Sequence, residues 1–221
     1  MSTALDLTDP IRLTQQLVDI PSESRSEEKI ADAVEQALTD LGLETVRVSN
    51  TVAARTNRGL GRRVILAGHL DTVPAAGNIP STLEDGAIHG LGSVDMKSGD
   101  AVFLHALATL ADSDELTADI TAIFYECEEI AAQFSGLQKF IYAYPDWMEA
   151  DFSILGEPTG GYVEAGCQGT IRMKLTARGT RAHSARAWLG ENALHKLGPI
   201  LTRIAADEPR EVDIDGCTYR E

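Results

Sequence analysis

The run Val64-Ile65-Leu66-Ala67 is apolar at every position and leads at once into Gly68-His69-Leu70-Asp71. A strand with one wet face alternates apolar and polar residues, so an unbroken apolar run bounded by turn residues reads as a central strand covered on both sides. Such a strand needs helices over it, and the chain supplies them. Asp9-Pro10 suits an N-cap and first helical position, with Leu13, Leu17 and Ile20 recurring at helical spacing up to Pro21. Ser24 and Glu27 stand at capping-box spacing ahead of the stripe Ile30, Ala33, Val34, Ala37, Leu38 and Leu41, which Gly42 closes.

Further along, Val46 and Val48 alternate with polar residues, and Thr51–Arg55 and Arg63–Ala67 read as strands joined around Asn57-Arg58-Gly59. Ala101–Leu110 and Phe134–Ala143 read as helices, Asp119–Tyr125 as a β-rich strand and Asp151–Leu155 as a short buried strand. This alternation predicts an α/β fold. Past Gly160 the texture changes: Thr170–Ala177 alternates strictly, residues 190–206 are helix-like, and Val212-Asp213-Ile214-Asp215-Gly216 reads as a strand entering a hairpin turn. Two domains are expected, residues 1–171 and 172–221.

Composition narrows the function classes. With 34 acidic against 19 basic residues the formal charge is −15, and no basic run exceeds Arg62-Arg63. A nucleic-acid partner, which needs a basic surface to displace phosphate counterions, is not expected. Met1–Pro10 lacks the basic and apolar regions of a secretory signal, and no apolar run approaches the ~18 residues of a membrane span. Cys127, Cys167 and Cys217 are widely spaced and form no Cys-x-x-Cys pair, so reduced thiols and a cytoplasmic location are expected.

Chemistry-bearing residues gather where the strands end, which is where open α/β sheets bind ligands. His69 and Asp71, two apart, can share a side as the chain leaves its strand; a carboxylate behind a His fixes the tautomer of a metal-binding imidazole. Asp95 lies in the glycine-rich loop Gly90–Gly99, which has neither Walker spacing nor a clean Gly-x-Gly-x-x-Gly. Its two oxygens suit bridging two cations. Glu128 and Glu129 follow the strand ending at Tyr125, and Glu157 follows the one ending at Leu155. Taken singly, each has a plain alternative: a loop His beside a capping Asp, an N-capping Asp, a solvated Glu pair. Taken together, a set of N and O donors without thiolates fits hydrolytic zinc, cobalt or manganese better than a structural zinc site.

The motifs Gly68-His69-Leu70-Asp71-Thr72-Val73-Pro74, Gly92-Ser93-Val94-Asp95-Met96-Lys97-Ser98-Gly99, Glu128-Glu129 and Gly156-Glu157-Pro158 resemble, in order, those of the dinuclear zinc peptidase and deacylase family. The resemblance implies a three-layer αβα zinc-peptidase-like catalytic domain with a mixed sheet, and an incomplete α+β lid or dimerisation domain. It implies two Zn2+ ions, with Co2+ as a substitute: His69 and Glu157 on one, Asp95 bridging, Glu129 on the other. Asp71 orients His69, and Glu128 is the general base. His183, in Arg181-Ala182-His183-Ser184-Ala185, matches the family's oxyanion-stabilising histidine, which serves the partner subunit of a homodimer. His89, His105 and His195 are expected to be structural or surface residues, Cys127 and Cys167 buried small hydrophobes, and Trp147 and Trp188 core or domain-edge packing.

The implied activity is amide hydrolysis of a small N-acyl amino acid. The stretches His89–Gly99 and Arg181–Arg186 look closest to family members that act on N-succinyl-L,L-diaminopimelate; N-acetylornithine is the alternative substrate. Two departures leave the ligands in place, Cys127 before the glutamate pair and Ile130 after it. A third does not: the family's last histidine ligand comes from a C-terminal segment, and no histidine here matches it. The expectation is a truncated form holding one ion well and the second poorly, or a non-catalytic metal-binding fragment.

Overall fold

The structure, a computed structural model, describes residues 4–166 and 171–220. The chain divides into two compact units, Met1–Gly161 and Tyr162–Glu221. The division falls ten residues before the boundary expected from sequence, at a turn where Gly160 and Gly161 both take positive φ (65° and 85°).

The first unit is built on a five-stranded mixed sheet. Its strands are β1 (Glu44–Val48), β2 (Thr51–Arg55), β3 (Arg63–His69), β6 (Asp119–Tyr125) and β7 (Phe152–Leu155), in the order β1-β2-β6-β3-β7. β6 pairs antiparallel with β2 and parallel with β3, and β3 pairs parallel with β7. β2 and β3, consecutive in sequence, are therefore not neighbours: β6 lies between them. A short hairpin, β4 (Thr82–Glu84) with β5 (Ala87–His89), precedes the glycine-rich loop and was not expected.

Helices α1 (Pro10–Val18), α2 (Glu28–Asp40) and α3 (Lys97–Leu110) cover one face, where Leu13, Leu17, Ile30, Val34, Leu104 and Leu107 pack on Val52, Leu66, Ala122 and Phe124. The other face carries α4 (Gly136–Ala143), with Phe140 and Trp147 against Ile65, Ala67 and Ile123. In β3, Ile65 and Ala67 thus face one layer and Leu66 the other, as the period of two requires.

Local signals behave unequally. Asp9 caps α1, its Oδ1 accepting from the Ile11 and Arg12 N–H groups at 2.9 and 3.3 Å. Gly42, at φ 73°, lies just past the end of α2. The capping box does not form. Glu27 stands at the N-cap of α2 without a side-chain cap, and its fully buried carboxylate instead accepts from the Cys127 N–H at 3.1 Å. β7 is exposed rather than buried, with Phe152 63% and Leu155 52% accessible, because it forms the sheet edge.

The second unit contains a 3-10 segment (Ser184–Leu189), helix α5 (Ala193–Ala205) and the hairpin β8 (Glu211–Ile214) with β9 (Cys217–Arg220). Asp215 and Gly216, both at positive φ, make the expected turn. Residues 171–177 are not a strand: they pair with none among the described residues, and Ile171, Met173 and Leu175 are exposed. Trp147 is core, but Trp188 is 77% accessible and is not packing. Cys167 and Thr170 lie outside the described residues. Among the described residues no helix is long and apolar enough to cross a membrane.

One polar tie holds the sheet's far end. The buried Asp119 carboxylate accepts from the Thr56 hydroxyl (2.7 Å) and from the Arg58 and Leu60 N–H groups (2.8 and 3.0 Å). Burial pushes its pKa up, but these bonds and Arg63 outweigh that and leave it below 3.8. Asp119→Ala is expected to cost about 1–3 kcal/mol at neutral pH by denaturant unfolding. A carboxyl with a depressed folded pKa contributes fully above its unfolded pKa and loses that contribution as pH falls through the folded one. The gap between variant and wild type should therefore close on acidification below pH 4.

Candidate metal centre

The carboxyl ends of the three parallel strands β3, β6 and β7 deliver the site. His69 closes β3 and is 1% accessible; its Nδ1 lies 3.0 Å from the Asp71 carbonyl and 3.5 Å from Asp71 Oδ1. Both are acceptors, so Nδ1 carries the proton and Nε2 is turned outward. Nε2 meets another acceptor, Asp95 Oδ1, at 3.1 Å. A lone pair facing a carboxylate oxygen at that distance requires a cation between or upon them, either a proton or a metal ion.

Glu157, just beyond β7, completes the group: donor atoms of His69, Asp95 and Glu157 lie within 4.8 Å of one another. Burial pulls the His69 pKa down, yet the hydrogen bond and charge of Asp71, with Asp100 and Asp95, raise it to about 10. Glu157 and Glu129 are shifted up, first by burial and then by neighbouring carboxylates, Asp95 among them in each case. This is a pocket of mutually repelling acids around one imidazole, and a divalent cation relieves both effects. The described residues thus offer a group suited to a metal ion, with N and O donors and no thiolate.

Glu129 is not in that group of three, although its charge acts on Glu157. Glu128 and Glu129 are set by their backbone. Asp71, fully buried, accepts from the Glu128 N–H at 2.9 Å through Oδ1 and from the Glu129 N–H at 3.1 Å through Oδ2. Oδ2 also accepts from the Ser24 hydroxyl at 2.6 Å. Burial raises the Asp71 pKa, but the bonds from His69, Ser24 and the two N–H groups bring it below the ordinary value. Glu128 leaves this frame with its side chain exposed, free to meet a reactant.

Behind the frame, Glu27, Glu126 and Cys127 form a second buried trio. Cys127, at φ 58°, donates to Glu27 through N–H and thiol, and Glu126 pairs with Lys139 at 2.7 Å. Burial and then Glu27 push the Cys127 thiol up to about 12, so it is inert as a nucleophile. Sequence reasoning missed Ser24 and Glu27, whose capping-box spacing hid their use elsewhere. It also missed Lys97, which is fully buried and donates to the Leu17 and Ile20 carbonyls at 2.9 Å each. His183 lies in the second unit, exposed, where its Nδ1 accepts from the Ala185 N–H at 3.1 Å. His89 and His195 are exposed, and His105 bonds the Leu7 carbonyl.

Comparison with known proteins agrees with this architecture. A succinyl-diaminopimelate desuccinylase of Corynebacterium glutamicum is 59% identical over 225 residues, covering all of this chain and 61% of its own length. A Mycobacterium tuberculosis relative is 60% identical over 220 residues, again covering 61% of its length. The chain therefore spans about three fifths of these curated relatives. Among solved structures, a tripeptidase from Staphylococcus aureus aligns with a TM-score of 0.63 at 16% identity, over 96% of this chain and 63% of its own. An M20 family metallo-carboxypeptidase from Sulfolobus solfataricus aligns at 0.60 and 20% identity, over 67% of this chain and 37% of its own. These two speak for the fold alone. The family model for Peptidase family M20/M25/M40 matches residues 65–208, and with His69, the glycine-rich loop and Glu157 all inside that span, the chain belongs to this family.

Proposed function

We propose that the whole protein is a metal-dependent amide hydrolase that converts N-succinyl-L,L-diaminopimelate to succinate and L,L-diaminopimelate, in cytoplasmic synthesis of lysine and cell-wall precursors. The observation that carries the chemistry is the Nε2 of His69 facing Asp95 beside Glu157. The 59% identity to a protein named for this activity carries the substrate.

In this reading His69, Asp95 and Glu157 hold one Zn2+, and Asp95 and Glu129 contribute to a second, with Co2+ as a substitute. When bound, the ions lower the pKa of water and polarise the acyl carbonyl. Asp71 keeps the Nδ1 proton of His69 in place, so that the imidazole stays a donor through Nε2. Glu128 removes a proton from the attacking water and later gives a proton to the departing amine, as the water oxygen joins the acyl carbon and the C–N bond breaks. His183 stabilises the oxyanion, each subunit of a homodimer serving the other. The acidic chain and the anionic substrate are compatible because two divalent cations reverse the local sign.

A second reading, a one-ion chain without hydrolysis, is favoured by Glu129 standing outside the group of three donors among the described residues.

Metal analysis and a succinate-release assay separate the two. Two ions per chain with hydrolysis are expected from the first reading, one ion and no hydrolysis from the second. Chelation should abolish succinate release and added Zn2+ or Co2+ restore it; faster turnover of N-acetylornithine would overturn the substrate assignment. Glu128→Gln should keep its metal content while hydrolysis falls by about 10²–10⁴-fold. Loss of metal in that variant would mean that the roles of Glu128 and Glu129 are exchanged.

A further inference from the structure

Asp100 is the fourth residue of α3 and has no part in the group of three donors. It is fully buried, and neither of its carboxyl oxygens has a hydrogen-bond partner among the described residues. A buried carboxyl left this way costs free energy unless something beyond hydrogen bonding compensates it. Lys97, one turn back, does not bond it, since that ammonium donates to the Leu17 and Ile20 carbonyls.

The packing shows where the carboxyl lies. A Cβ on Gly68 would collide with Asp100 Oδ1 and with the Met96 methyl, so both occupy the space that a side chain at position 68 would fill. The same Met96 methyl, with Phe103, stands within 2.9 Å of where a Cβ on Gly156 would be, and a Cβ on Gly99 would collide with the Gly156 carbonyl. Gly68 immediately precedes His69, and Gly156 immediately precedes Glu157. The first turn of α3, which starts two residues after Asp95, is thus wedged beneath the two strand ends that carry the other donors.

Charge gives the wedge its purpose. Burial, with Glu157 and Asp71, pushes the Asp100 carboxyl well above the usual carboxylate range, against the pull of His69 and Lys97. Among the described residues, the carboxyl groups of Asp71, Asp95, Asp100, Glu128, Glu129 and Glu157 gather around the site with the basic groups of His69 and Lys97. A divalent cation on the neighbouring donors would add its pull to that of His69 and Lys97, and between it and a buried carboxyl little dielectric intervenes.

We infer that Asp100 is a positioning residue for the metal centre: its buried carboxyl, set beneath the strand ends of His69 and Glu157, tightens the hold of those donors on a divalent cation. The inference rests on reading His69, Asp95 and Glu157 as ligands.

Asp100→Asn keeps the shape and removes the ionisable carboxyl. Zn2+ affinity, measured by competition with a chromophoric chelator, should fall about 10–100-fold, the range for groups that support metal ligands from behind. In excess chelator the variant should unfold at the wild-type temperature or above it, and saturating Zn2+ should raise that temperature less than in wild type. Simple packing predicts the reverse, a lower unfolding temperature in chelator with affinity unchanged; Zn2+ binding within twofold of wild type overturns the inference. Asp100→Ser is judged by the same criteria if the Asn variant does not fold, and failure of both to fold in chelator also overturns it. A wild-type chain that takes up no Zn2+ would overturn the ligand assignment first, and this inference with it.

Discussion

The site depends on the buried carboxylate of Asp71. Through one oxygen it holds the Glu128 N–H, and through the other the Glu129 N–H and the Ser24 hydroxyl, while His69 lies against it on the same strand end. Three segments far apart in sequence are fixed by one charged acceptor. Charge-assisted bonds of this kind are roughly twice as strong as neutral ones, and here they are shielded from water. The arrangement also divides labour. Glu128 and Glu129 are located by their backbone, so their side chains are free for chemistry rather than committed to structure.

Glycine at three positions is the steric counterpart of that electrostatic frame. Gly68, Gly99 and Gly156 let α3 approach the ends of β3 and β7 closely: the Asp100, Met96 and Phe103 side chains fill the places of the Gly68 and Gly156 Cβ atoms, and the Gly156 carbonyl fills that of Gly99. A larger residue at any of them would push the helix, and with it Asp95, away from His69 and Glu157. The chain's overall charge of −15 says little about this, since the acids that matter are gathered at one end of one sheet.

Much of this was legible in the sequence, for reasons that are local. The helix stripe of α2, the cap of α1 and the apolar run of β3 each reflect a periodicity or a turn residue acting over a few positions. The position of β6 between β2 and β3 was not legible, because strand order is set by pairing between distant segments. Nor was the exposure of β7, whose Phe152, Ile154 and Leu155 read as core by composition yet stand on the sheet edge. Ser24 and Glu27 matched a local pattern and were claimed by distant partners, Asp71 and Cys127. The donors His69, Asp95 and Glu157 stood out because each follows a strand or tight turn directly. Asp100 did not, since an acid ahead of the apolar stretch Ala101–Leu110 resembles an ordinary first-turn residue.

The separation of these segments has a consequence for the order of events in folding. His69 and Asp71 are two residues apart, but Asp95 is 26 beyond His69 and Glu157 is 88 beyond it. Loops of that length are closed by formation of the sheet, with β6 inserted between earlier strands, and contacts of such long range are made late. A cation held by His69, Asp95 and Glu157 would therefore meet a finished site rather than nucleate one. By binding the folded chain alone it would act on the equilibrium, lengthening the persistence of a folded molecule more than speeding its formation.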